Sequence, residues 1–394
     1  MMAPIPRLRA YEGPALLSYG FRPFFLLGSL YAGLAILTWL PMFYGELALS
    51  SAFAPRDWHV HEMLYGYLSA VVTGFLLTAV PNWTGRMPLQ GRPLLALVLI
   101  WAAGRVAVTT SAWIGWQAAA LVDVSFLMAV AAAIAREIVK GRNWRNLKVL
   151  TALGILTAGN IVFHLEAHFQ GSAEYGIRIG IAATMMLVMV IGGRIVPSFT
   201  RNWLARENPG RLPAPFGTFD MVSTAAAGAA LLAWIALPEW RVTGVALVAA
   251  GLVQAVHLAR WAGDRTWRDR LVLILHVAYA FVPLGFVLTG LAALGVIPAG
   301  AGIHAWTGGA MGGMTLAVMS RASLGHTGRA LVATRTTQAL YALIVVAALA
   351  RILAVLMPHW TTALIHLAGA AWAATFIGFA LTYWNVLARP RVKA

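Results

Sequence analysis

The sequence predicts an all-α, polytopic membrane protein of twelve transmembrane helices, and three observations carry that reading. Hydrophobic residues make up 60% of the 394-residue chain and charged residues only 11%, where soluble domains run about 45–50% apolar and about 25% charged. Apolar runs of about 20 residues, enough to cross a hydrocarbon core of about 30 Å, recur along the whole chain. Finally, all but five of the 29 Lys and Arg fall in, or within a few residues of, the N-terminus, the even-numbered connections between the runs, or the C-terminus. That alternation is the positive-inside pattern, with both termini in the cytoplasm.

The twelve runs lie at 22–43, 59–80, 94–113, 116–137, 147–168, 175–197, 217–237, 241–261, 270–293, 303–323, 336–357 and 360–386. Backbone groups in lipid must be satisfied within the segment, so each run is expected to be helical. A miscounted helix would exchange the sides downstream and spoil the charge alternation. The exceptions to it are Arg56, Arg178 and Arg241 on the other side, and Arg105 and Arg351 inside spans. The net charge of +16 therefore serves topology, and nucleic-acid binding is excluded. Connections are short; the longest, 198–216, is basic and is expected to lie on the cytoplasmic surface. The first twenty residues lack the pattern of a cleaved signal, so the first span is expected to stay as an anchor. Cysteine is absent, which leaves His, carboxylate or Met to hold any metal.

An internal repeat organises the spans. Residues 61–86 align without gaps to 304–329, sharing His61/His304, Gly66/Gly309, Ala79/Ala322 and the closing Thr84-Gly85-Arg86 and Thr327-Gly328-Arg329. GRNWRNLKVL (141–150) resembles DRTWRDRLVL (264–273), and VPNWT (80–84) echoes VPSFT (196–200). These matches predict three four-helix pseudo-repeats, about 1–143, 144–266 and 267–394, within one membrane domain. The six-plus-six pattern of the commonest twelve-helix transporters is not seen.

Seven of the ten histidines cluster toward the outer face: His59 and His61 open span 2, His304 opens span 10, His164 and His168 close span 5, and His359 and His366 begin span 12. His61 and His304 hold repeat-equivalent positions on different helices, and two neutral imidazoles converging that way suit a haem iron or a copper ion. His164 and His168 are spaced i, i+4 on one helical face, as two ligands to one metal would be, although His168 can equally mark the helix end. His59 sits on another face and could serve a second metal or a proton route. His257 and His359 read as hydrated or hydrogen-bonded interface residues. His276 lies too deep for casual hydration and reads as a ligand or a buried hydrogen-bonded group, while His326 sits in a tight turn at the span 10 exit.

Charges inside spans need partners. Asp123 and Glu166 are the candidate counterions for Arg105 and Arg351, as structural pairs or with an arginine anchoring an anionic cofactor such as a haem propionate. Glu62 could deliver protons or orient a ligand beside His61. The glycines of GGAMGG (308–313) would let a helix or a flat macrocycle approach closely. Met311, Met314 and Met319 read as packing before copper ligation.

FRPFF (21–25), WHVHEM (58–63), GFLLTAVPNWTGR (74–86), GGRIVPSFTRN (192–202), HAWTGGAMGG (304–313) and SRASLGHTGR (320–329) together resemble the NnrS family of bacterial membrane proteins. The resemblance runs through nearly the whole chain. It implies a twelve-helix, haem- and copper-containing protein of the inner membrane, linked to nitric oxide metabolism and nitrosative stress. On matching positions it places motif histidines at His59, His61, His164, His276, His304 and His326, and motif arginines at Arg22, Arg86, Arg105 and Arg329. The three four-helix units also resemble the core of the haem–copper oxidases, whose paired-histidine copper motif is missing here.

The function expected from these readings is reduction of nitric oxide to nitrous oxide at a haem b, with copper as a further cofactor and membrane quinol as electron donor. In it Glu62 and Glu166 supply protons; His61, His304, His164, His276, Arg22, Arg105 and Arg351 hold cofactor; and His59, His61, His164, His168, His304 and His326 are candidate metal ligands. A transporter or metal-handling protein, or a nitric-oxide sensor without turnover, are the alternatives.

Overall fold

The computed structural model describes residues 11–392. Arg7, Arg9 and Lys393, which contribute to the charge alternation, lie outside the described residues. The described residues are helical, with no strand among them. Among the described residues, eleven helices are long and apolar enough to cross a membrane. In chain order these are α1 (Phe21–Phe43), α2 (Pro55–Thr84), α3 (Arg92–Thr109), α4 (Trp116–Lys140), α5 (Val149–Phe169), α6 (Tyr175–Glu207), α7 (Thr218–Ala236), α8 (Arg241–Ala259) and α9 (Arg270–Ala293), then α11 (Arg335–Leu356) and α12 (Pro358–Ala388). Between them lies α10, helical over 301–326. Its six glycines and its Ser and Thr residues lower its hydropathy, so eleven helices rather than the expected twelve meet that measure.

Helix ends follow local chemistry. Gly85 leaves α2 in the left-handed region at φ 66°, where a side chain would be strained. Asp269 caps α9, accepting from the backbone N–H of Leu271 at 2.9 Å and Val272 at 3.2 Å, and Thr334 caps α11 through Thr337 N–H at 3.2 Å. Large apolar side chains stay uncovered on the long helices, as at Leu121 (75% exposed) and Leu381 (72%). Water would penalise such faces, whereas lipid tails accept them at no cost.

Two helices depart from α geometry at matching places. In α2 the segment Glu62–Leu68 is π-helical, and in α10 the segment Ala305–Gly312 is. Each begins on the residue after a repeat-paired histidine, His61 or His304. A π turn inserts one residue into the hydrogen-bond ladder and re-aims the side chains after it, and such turns concentrate at functional sites.

The chain divides into two compact units. Of the described residues, unit 1 takes those up to 180, 323–329 and those from 376 on, and so holds α1 to α5. Unit 2 takes 181–322 and 330–375. In unit 2, α8 and α9 touch backbone to backbone: a Cβ on Gly290 would stand 2.7 Å from the carbonyl oxygen of Gly244. GGAMGG serves helix contact in the same unit, with Gly309 against Phe281 and Gly313 against Ala278. Met311, Met314 and Met319 are buried there as packing residues.

In unit 1 the first turn of α6 lies against α5. A Cβ on Gly176 would meet the Phe163 backbone, 2.5 Å from its Cα, and backbone cannot swing aside. We expect Gly176→Ala to destabilise the protein by about 1–3 kcal/mol, the usual cost of overpacking. Thermal unfolding of the detergent-purified variant reads the loss, and an unchanged midpoint would contradict the close approach.

Candidate functional site: a buried histidine–carboxylate cluster

Five helices of unit 1 bring polar side chains to one dry place. Tyr31 comes from α1, His61 and Glu62 from the α-to-π junction of α2, Arg105 from α3, Asp123 from α4, and Asn160 and His164 from α5. His61 and Glu62 are fully buried, and Asp123, Asn160 and His164 are at most 3% exposed. The i, i+4 spacing of Asn160 and His164 puts both on one face of α5.

Arg105 holds the carboxylates. Its Nη1 donates to Glu62 Oε2 at 2.8 Å and its Nη2 donates to Asp123 Oδ1. Tyr31 donates its hydroxyl to Glu62 Oε2. Gly104 lets α4 come close enough for this, since a Cβ there would lie 3.1 Å from Asp123 Oδ1. Trp101 on α3 donates to the carbonyl of Gly66 at 2.9 Å, fastening α3 to the π segment.

The histidines gather on the far oxygen of Asp123. His61 Nε2 and His164 Nε2 each lie 3.1 Å from Asp123 Oδ2. Asn160 Nδ2 donates to the same oxygen at 2.7 Å, while Asn160 Oδ1 lies 3.0 Å from His61 Nε2. His61 Nδ1 faces Glu62 Oε1 at 3.0 Å. Both nitrogens of His61 therefore face oxygens that only accept. With Nδ1–H donating to Glu62, Nε2 needs a proton or a metal cation between itself and Asp123. Charge makes the same demand. Two carboxylates stand against one guanidinium, so one further positive charge neutralises the cluster in a medium where a lone charge is costly.

His61, Asp123 and His164 each offer a ligand atom, and these atoms lie within 4.8 Å of one another. Two imidazoles and a carboxylate suit a first-row divalent metal with open positions, of the two-His-one-carboxylate kind. Glu62 orients His61 through the remaining ring nitrogen, as partners of metal-bound imidazoles usually do. A haem fits this arrangement poorly. His61 Nε2 faces the Asp123 carboxylate rather than open space, and the rings of Phe53, Phe163 and Tyr65 flank the imidazole at 5.1–5.4 Å, where a macrocycle would have to lie.

A family model described as NnrS protein matches residues 15–391. The chain belongs to the NnrS family. Membership fits a membrane protein related to nitric oxide, and it agrees with the motifs read from the sequence. No curated protein matches the chain.

The cluster of this NnrS-family chain unites His61, Glu62, Arg105 and His164 from the sequence candidates, and the remainder lie elsewhere. Glu166 accepts from the backbone N–H of Tyr175 at 3.0 Å and Gly176 at 2.7 Å, and so caps the start of α6. His59 stacks on Trp39 at 4.2 Å and His168 on Trp116 at 4.3 Å. His326 packs against Tyr19 and Phe21. Arg22 donates to carbonyls at the end of α12. His304 and Arg351 belong to unit 2, as does His276, whose Nε2 lies 2.8 Å from Thr200 Oγ1.

Sequence reasoning passed over Asn160 and Tyr31 and took Asp123 only as a counterion. An amide one turn before His164 in an apolar span was the available signal. Sequence reasoning read His257 as a hydrated or hydrogen-bonded interface residue; the ring is buried in unit 2 and hydrogen-bonded, with Nε2 2.8 Å from Asp220 Oδ1.

Arg105→Ala leaves two buried carboxylates without their guanidinium, and we expect it to cost about 3–5 kcal/mol. Adding Glu62→Gln should recover part of that loss. Denaturant unfolding of both variants checks this, and a recovery of zero would mean that Glu62 is not held by Arg105.

Proposed function

We propose that the chain is a metal-dependent membrane protein acting on nitric oxide, with one metal ion held by His61, Asp123 and His164. The observation that carries this reading is the pair of imidazole nitrogens facing a single carboxylate oxygen inside a dry, aromatic-walled site. Family membership supplies the link to nitric oxide. The donor set suits iron(II) or copper(II); copper(I) would prefer sulfur, and no methionine belongs to the cluster. A bound metal with open positions would give nitric oxide a place to bind. The residues do the rest: Glu62 fixes the ring of His61, Arg105 fixes Glu62 and Asp123, and the surrounding rings exclude water.

In its fuller form the proposal is reduction of nitric oxide, with two NO, two electrons and two protons giving nitrous oxide and water. Membrane quinol is the proposed electron donor. The Tyr31 hydroxyl and the Glu62 carboxyl form a hydrogen-bonded pair that can hold a proton beside the site. Because His61 and His164 do not fit a haem as arranged, no step is assigned to one. We also propose the cytoplasmic membrane as the location, with both termini inside, on the strength of the charge alternation. Three pseudo-repeats remain our reading of the chain's ancestry, and the matching π segments of α2 and α10 favour it.

His61→Ala, Asp123→Ala and His164→Ala should each cut the iron or copper bound per purified chain at least tenfold, as elemental analysis reads it. Unchanged metal content in all three would overturn the site. The reaction is tested separately, by nitrous oxide release from the metal-loaded protein supplied with NO and a reduced quinol analogue. Stoichiometric metal without nitrous oxide would overturn turnover and leave binding alone.

A further inference from the structure

The exits of α2 and α10 end in the same three residues, Thr-Gly-Arg, yet the two arginines meet different surroundings. Arg86, after α2, donates through Nε to Glu137 Oε2 at 2.5 Å. Glu137 stands three residues before the end of α4, at Lys140. Arg329, after α10, lies against the end of α12, and three residues before that end, at Ala388, stands Asn385. The acid of the first pairing is replaced by an amide in the second. Arg329 reaches only the backbone carbonyl of Asn385, at 3.3 Å through Nη2, and its Nη1 is buried with no partner among the described residues.

Further positive charge surrounds it. Arg22, 4% exposed, donates through Nη1 to the carbonyls of Leu387 and Arg389, both at 2.7 Å. Arg22 and Arg329 both donate to carbonyls of the last turn of α12, those of Leu387 and Asn385. The chain after α12 folds back, with Val392 N–H donating to Thr327 carbonyl at 3.0 Å. That bond lays Arg391 beside the turn, its Nε 3.3 Å from where a Cβ on Gly328 would stand. Among the described residues no carboxylate pairs with Arg22, Arg329 or Arg391. The positive-inside pattern accounts for arginines on this side, but not for gathering three of them at the end of α12, one with a buried, unpartnered donor.

We propose that Arg22, Arg329 and Arg391 form a binding site for the phosphate of an anionic phospholipid, which takes the place that Glu137 fills beside Arg86. Guanidinium forks match phosphate oxygens, and basic pockets at helix ends recognise anionic headgroups. The side chains of α12 give the depth. Leu381 is 72% exposed, as a lipid-facing residue would be; Trp384, one turn nearer the end, is 54% exposed, as an interfacial indole would be; Asn385 and Arg389 follow. The arginines thus stand at headgroup level, which favours a lipid over free phosphate.

The full chain is placed in nanodiscs of phosphatidylcholine, alone or mixed with phosphatidylglycerol, and its unfolding midpoint is read with phosphatidylglycerol retention by mass spectrometry. The wild type should gain several degrees with phosphatidylglycerol and retain the lipid. Arg329→Gln should lose both effects. Asn385→Glu restores the missing acid, so it should melt higher than wild type in phosphatidylcholine and gain little from phosphatidylglycerol. That variant keeps the test intact if Arg329→Gln fails to fold. An undiminished phosphatidylglycerol response in Asn385→Glu would overturn the site. So would a full shift from inorganic phosphate in detergent with nothing added by phosphatidylglycerol, since the anion would then be a free one.

Discussion

The guanidinium of Arg105 is the contact on which the organisation of unit 1 depends. It lies between two carboxylates from different helices, in surroundings where neither could stay charged alone. Because Glu62 and Asp123 are anchored through it, α2, α3 and α4 have one workable alignment at this depth. The histidines then find acceptors already in place. Glu62 turns the ring of His61, and Asp123 presents one oxygen to both His61 and His164. A buried ionic network contributes less to net stability than to choosing a single arrangement, and here the arrangement it chooses has the shape of a ligand set.

Function draws on the same features that make the cluster expensive. A dry site with an unbalanced negative charge attracts a cation, and aromatic walls keep that cation from full hydration. The π segment of α2 begins at Glu62, directly after His61, so the helix departs from regular geometry where its side chains must be aimed. The corresponding break in α10 follows His304. The two helices share this irregularity although their sequences agree at few positions. Irregular backbone within a span is tolerated only where packing satisfies it, as the bond from Trp101 to the Gly66 carbonyl does here.

Acidic residues in this chain are few, and their placements show three separate uses. Glu62 and Asp123 build the cluster. Glu166, two residues after His164 and six after Asn160, instead accepts from two N–H groups at the start of α6. Glu137 neutralises Arg86 at a helix exit, and among the described residues no carboxylate takes that place beside Arg329 after α10.

Much of the architecture was decided by composition and order along the chain. Spans of this length and hydropathy can only be helices in lipid, and the Lys and Arg alternation predicts their sides without any contact being known. His61, Glu62, Arg105, Asp123 and His164 were legible as costly groups in apolar segments, because such groups persist only with partners. Who the partners are was not legible. Asp123 and Glu166 are equally acidic and both lie in spans, and only the packing of α3 against α4 brings the first to Arg105 while α6 takes the second. His61 and His304 matched each other in the repeat, but only the fold shows that α4 and α5 supply neighbours of His61. Asn160 looked ordinary until the fold set its amide between a histidine and a carboxylate. Sequence determines which residues must be satisfied; the tertiary structure decides by what, because the contacts that satisfy them join different helices, 18 to 99 residues apart.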